Sequence, residues 1–185
     1  MQYGTIKTFT NSGTIRNFGN KEPSEHFSIS SGMTSYYGTI GTFTNSGLIS
    51  GITGLKLSAS TINNFTNTGT IESTSGNELA AGISISTISG DASIIENLTN
   101  SGTIKSNSQG ILAEAGNEIK TLTNQGVIEA NLNGISFYAT DGYSGEIMKL
   151  GKIILENGSS IKARRNGINI DGTSKDIEAD GIEVK

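Results

Sequence analysis

Residues Ile6–Ile15 read IKTFTNSGTI, and the same ten-residue pattern returns four times. It recurs as IGTFTNSGLI at Ile40–Ile49, INNFTNTGTI at Ile62–Ile71, IENLTNSGTI at Ile95–Ile104 and IKTLTNQGVI at Ile119–Ile128. A degraded copy, LENGSSI, spans Leu155–Ile161. The consensus is I-x-x-[FL]-T-N-x-G-x-I. Its anchor asparagines are Asn11, Asn45, Asn67, Asn100, Asn124 and Asn157, separated by 34, 22, 33, 24 and 33 residues. The short intervals match one supersecondary unit of a stacked repeat protein, and the long ones carry about ten extra residues.

A second anchor, Gly-Ile, follows the first at Gly51, Gly82, Gly110, Gly134, Gly167 and Gly181. Each repeat thus holds three apolar stations: the Ile/Phe segment, the Ile after the N-x-G, and the Gly-Ile segment. Three short strands per turn make a triangular parallel β-helix. Within FTNSGTI, alternation of period two turns Phe9 and Ile15 inward and leaves Thr10 and Thr14 to solvent. Gly13 is read as supplying backbone freedom for a corner. The three-residue step from Ile to Phe breaks the alternation and predicts a bend there. Coils stacked about 4.8 Å apart would place Ile on Ile and Phe on Phe or Leu. The anchor asparagines would then form a ladder of amide hydrogen bonds along the axis. Six to seven coils would make a rod roughly 30 Å long.

Composition agrees. Of 185 residues only 34% are hydrophobic and 6% aromatic, while Gly, Ser, Thr and Asn make up 88 and Ile alone 26. So much Ile argues against disorder, and so many weak helix formers argue against a helical protein. Cysteine is absent, which excludes disulfides and Cys-based metal sites. The net charge is -4 and the 13 Lys and Arg are scattered, so no nucleic-acid partner is expected. No apolar run approaches the ~18 residues of a membrane-spanning helix. The N-terminal MQYGTIKTFTNSG has neither a basic start nor an apolar stretch, so it does not read as a signal peptide.

The departures from regularity are the places to look for recognition, because loops held on a rigid scaffold usually carry it. Three insertions stand out, at about 20–38, 73–81 and 137–151. The first holds the only Pro and the only His, His26, with Tyr36 and Tyr37; the third holds Phe137, Tyr138 and Tyr143. These aromatics either pack the loops against the rod or form a contact surface. Arg164 and Arg165 are the only adjacent basic pair, and they either face solvent or meet an acidic glycan or lipid headgroup.

Catalysis finds little support. Glycoside hydrolysis needs two carboxylates about 5–10 Å apart, yet none of the five Asp recurs in the repeat. Asp171, Asp176 and Asp180 come nearest to a cluster and read as solvated turn residues. His26 has Glu22 and Glu25 nearby but reads as a surface histidine, and no G-x-S-x-G is present. The glycines and lysine of Gly145–Lys152 lack the spacing of a phosphate loop. A flat Thr-x-Thr face for ice or a repetitive polymer is met at Thr8/Thr10 and Thr42/Thr44 but broken at Asn64 and Asn97. No catalytic residue, metal site or cofactor is expected.

The tandem I-x-x-[FL]-T-N-S-G-T-I followed by Gly-Ile, from Ile6 to about Ile182, resembles the passenger domains of Gram-negative autotransporters. It is most similar to the repeat regions of vacuolating-cytotoxin-like members. The resemblance implies a right-handed parallel β-helix, export through an outer-membrane β-barrel, and a cell-surface or secreted location. The reading taken from the sequence is a non-enzymatic scaffold, part of a longer passenger, expected to make adhesive contact with a host glycan or protein or to associate with itself. A segment of a vacuolating-type toxin binding a host receptor is the alternative; a polysaccharide-processing β-helix enzyme is a more remote one.

Overall fold

The computed structural model describes residues 4–19, 30–138, 147–171 and 177–185. Among them the chain is all-β, a right-handed parallel β-helix whose strands fall into three parallel sheets of seven, six and six strands. The first face stacks β1 (Gly4–Asn11), β4 (Gly38–Asn45), β7 (Thr61–Asn67), β10 (Ile94–Asn100), β13 (Glu118–Asn124), β16 (Met148–Leu155) and β19 (Ile177–Val184). The second stacks β2 (Thr14–Arg16), β5 (Leu48–Gly51), β8 (Thr70–Ser73), β11 (Thr103–Ser106), β14 (Val127–Ala130) and β17 (Ser160–Ala163). The third stacks β3 (Ser31–Tyr36), β6 (Thr53–Ser58), β9 (Ala81–Ser86), β12 (Gln109–Glu114), β15 (Ile135–Tyr138) and β18 (Ile168–Asp171).

Parallel pairing in register makes like lie on like. On the first face Phe9 pairs with Phe43, Phe43 with Phe65, Phe65 with Leu98 and Leu98 with Leu122. The rings of Phe9 and Phe43 stack with centroids 4.8 Å apart, and Phe43 meets Phe65 edge-on at 4.6 Å. On the second face Ile15, Ile49, Ile71, Ile104, Ile128 and Ile161 form an unbroken column. On the third, Met33, Leu55, Ile83, Ile111, Ile135 and Ile168 do the same. Ile49, Ile71, Ile104 and Ile128 are wholly buried, and each such side chain contributes about 1.5–3 kcal/mol. That is how a core this thin suffices: every coil covers its neighbour's apolar stations.

The bend predicted between Ile and Phe has a concrete form. Lys7, Gly41, Asn63, Glu96 and Lys120 fall outside the paired register, while residues on either side stay paired. The same residue is left out of the pairing at the same height in successive coils, which marks the bend. It lets Ile40 and Phe43 both turn inward despite their odd spacing.

Four details differ from expectation. Asn157 does not continue the asparagine row: Leu155 is the register partner of Asn124, and Asn157 is exposed in the turn that follows. Four residues lie between Leu155 and Ser160, where only Gln125 and Gly126 separate Asn124 from Val127, so the anchor was displaced by a longer corner. The first-face strand of the sixth coil is therefore KLGKIIL, with Leu150 and Ile153 taking the Ile119 and Leu122 stations. The Gly-Ile pairs at 51 and 181 are not third-face anchors: Leu55 pairs with Ile83, and Ile182 pairs with Ile153 on the first face. The insertions are also shorter than their sequence boundaries. Residues 31–36 form β3, residues 137–138 end β15, residues 148–151 open β16, and Ser73 and Ala81 belong to β8 and β9.

Finally, the N-x-G glycine is required for space, not for a left-handed φ. A Cβ at Gly47 would overlap the carbonyl oxygen of Gly13, and the same holds for Gly69 on Gly47, Gly102 on Gly69 and Gly126 on Gly102. None of these has positive φ.

Candidate functional site

The asparagine row runs through the corner between the first and second faces. Asn11 Nδ2 donates to Asn45 Oδ1, Asn45 to Asn67, Asn67 to Asn100 and Asn100 to Asn124, each at 2.8 Å. Nδ2 of Asn45 also lies 3.2 Å from the carbonyl oxygens of Gly47 and Thr70, and the pattern repeats at Asn67 and Asn100. Asn45, Asn67, Asn100 and Asn124 are fully buried. Their amides are thus occupied with one another and with the backbone, a structural role that leaves little for a ligand.

A second polar column, at the corner between the third and first faces, escaped the sequence reading. Ser35 Oγ donates to Ser60 Oγ at 3.1 Å, the Ser60 amide to Ser93 Oγ at 3.2 Å, and the Ser93 amide to Asn117 Oδ1 at 2.7 Å. Asn117 then binds Thr87 Oγ1 and the carbonyls of Glu114 and Ala115. Its signal was present: Ser60, Ser93 and Asn117 each stand two residues before the first-face Ile. The differing residue types hid it. The same corner holds two residues in left-handed conformation, Tyr37 (φ 50) and Ala59 (φ 49), and Gly116 (φ 80) fills the equivalent place.

The contact residues proposed from sequence separate into groups. His26 and Tyr143 lie outside the described residues. Phe137 is not on a loop: it sits in β15 with 2% exposure, packed in the core beside Ala113, whose small side chain leaves room for it. Tyr36 is exposed at the end of β3, and Tyr37 is half-buried beside a shallow depression that also involves Ala59 and Asp91. Arg164 and Arg165 are exposed just after β17. Tyr138 is half-buried at the end of β15. Of all these, the fold brings together Tyr138 and Arg165, which line one groove with residues that sequence reasoning did not select.

That groove, about 140 Å³, lies on the outer side of the third face. Four coils contribute to it. Glu78 and Leu79 come from the segment between β8 and β9, Leu112 from β12, Ser136 from β15 and Asn169 from β18. Leu112 and Ser136 point outward by register yet are only 2% exposed, so this side of the sheet is covered rather than open. Gln109 helps hold the covering segment, its Nε2 reaching the Glu78 carbonyl oxygen at 3.4 Å. Arg165 approaches the Glu78 carboxylate at 3.9 Å, both largely exposed.

The same face carries two partly buried charges, Lys56 on β6 and Glu114 on β12. Burial holds the Lys56 ammonium below its ordinary range, partly offset by the Glu114 charge. Burial likewise pushes the Glu114 carboxyl up, partly offset by Lys56. Among the described residues no group of three or more His, Asp or Glu is placed to hold a metal ion. Asp171 and Asp180 stand on different faces, and Asp176 lies outside the described residues. The Thr row on the first face is continuous, with Thr10, Thr44, Thr66, Thr99 and Thr123 in register, but the row beside it runs Thr8, Thr42, Asn64, Asn97 and Thr121. No helix among the described residues is long and apolar enough to cross a membrane.

Comparison with family models, with curated proteins and with solved structures returned no match for this chain.

Proposed function

We propose that this chain is a rigid scaffold segment of an exported autotransporter-type passenger. On this reading it is non-enzymatic and acts at the bacterial surface or after release. Its work is geometric: stacked coils hold contact-making groups at defined heights, for adhesion to a host glycan or protein or for self-association. The observation that carries the reading is the register, which stays in step through successive coils while every insertion falls between strands. Five matching asparagines and four sterically obligatory glycines keep each coil stacked on the next, and one mismatched coil would expose its neighbours' apolar stations.

The test is binding of the purified chain to host epithelial cells and to itself. Variants in which residues 20–29 or 139–146 are replaced by a short Gly-Ser turn should keep the β-sheet circular dichroism spectrum and lose most of the binding or self-association. Undiminished binding and self-association after both replacements would remove those stretches as the contact elements. Absence of any cell binding or self-association by the intact chain would sink the contact role.

A further inference from the structure

We infer that the groove on the outer side of the third face is a binding site for one neutral sugar unit. The inference deepens the contact-surface reading and rests on it for its biological meaning, though not for its chemistry.

The argument starts from what the polar groups in the groove are already doing. Asn166 Nδ2 donates to Asn133 Oδ1 at 3.1 Å and to Asn169 Oδ1 at 3.2 Å, and Asn169 Nδ2 donates to Ser136 Oγ at 3.3 Å. These bonds lock the two amides that line the groove in one orientation. The Asn133 Nδ2, the Asp171 carboxylate and the Tyr138 phenol make no hydrogen bond or ion pair with another described side chain. A held donor, an exposed carboxylate and a phenol thus stand without side-chain partners among the described residues around one small concavity. Leu79, exposed, provides apolar surface, and Tyr138 adds an aromatic ring.

That combination matches a pyranose. Adjacent sugar hydroxyls each donate and accept, so a carboxylate and an amide N–H satisfy a pair of them. The C–H faces of the ring are apolar and pack on aromatic and aliphatic surface. At about 140 Å³ the concavity is on the scale of one small ring rather than of a protein surface. Charge then selects the class. Among the described residues Arg165 is the one cation in the lining and already faces Glu78, while Asp171 has no cationic partner. The groove therefore carries a net negative charge, which disfavours uronic and sialic acids and phosphorylated ligands.

The experiment is saturation-transfer NMR on the full chain with the methyl glycosides of glucose, galactose, mannose, fucose and N-acetylglucosamine, beside glucuronic and sialic acid. At least one neutral glycoside should bind in the millimolar range, with affinity about tenfold lower in Asp171→Ala and in Tyr138→Ala and unchanged in Lys105→Ala on the second face. Asp171 is exposed, so its variant tests the site without touching the core. No neutral glycoside bound, acidic sugars preferred, or equal binding by wild type and Asp171→Ala would each overturn the inference. Cell binding measured in parallel separates the two claims. Sugar binding without cell binding leaves the groove standing and the adhesive role fallen; cell binding with no neutral sugar bound does the reverse.

Discussion

At the scale of single residues, two positions in the repeat leave almost no choice. Asn67 both accepts from Asn45 and donates to Asn100, so Asn67→Ala strands one buried donor and one buried acceptor. Each stranded group costs about 1–3 kcal/mol, and urea denaturation should show a loss of at least that size. Gly102→Ala forces a methyl into the carbonyl of Gly69 in the preceding coil. Overpacking of this kind costs about 1–3 kcal/mol even where neighbours can shift, and here the neighbour is backbone. A midpoint for Gly102→Ala equal to wild type would contradict the close approach. Ala59 makes the opposite case. Its left-handed φ is strained for any residue with a Cβ, so Ala59→Gly should leave stability unchanged or raise it by up to about 1 kcal/mol. Asparagine and N-x-G glycine were both legible in the sequence as repeated letters. The reason for the glycine was not, because the atom it avoids belongs to a residue some two or three dozen positions away.

At the scale of strands, pairing decides what a side chain experiences. Lys56 on β6 and Glu114 on β12 carry charges, yet the covered third face buries much of both. The sign of the pH effect follows from burial. Because the folded state raises the Glu114 pKa, it holds a proton that the unfolded chain releases as pH climbs just above the ordinary glutamate range. In that window this group's contribution to stability falls with rising pH. Wild type minus Glu114→Gln, compared by denaturation from pH 4 to 7, should show the decline, and a difference flat in pH would refute it. Lys56, with its pKa lowered, acts at the alkaline end: stability rises with pH between its depressed value and that of the unfolded chain. Asn157 is the more conspicuous anchor in the sequence because KLGKIIL carries no Thr-Asn, although packing needs only Leu150 and Ile153 at the right stations.

At the scale of the whole molecule, cooperativity runs along the axis. Each coil touches only its neighbours, so a substitution costs most where both are present. Ile104 is wholly buried between Ile71 and Ile128, and Ile104→Ala should cost about 2–5 kcal/mol. Ile15, half-buried in the same column, should cost clearly less by the same urea measurement. The number of coils, the three faces, the inward Ile and Phe stations and the asparagine ladder all followed from periodicity, since a repeated pattern can bury itself only by stacking identical positions. What lay beyond the sequence was everything set between faces and across distant coils. Burial of Phe137, displacement of Asn157, the Ser60–Ser93–Asn117 column and the groove uniting Glu78, Tyr138, Arg165 and Asp171 all depend on it. Those features arise from the lengths of individual corners and from which loop folds over which sheet, and such distances exist only once the chain is wound.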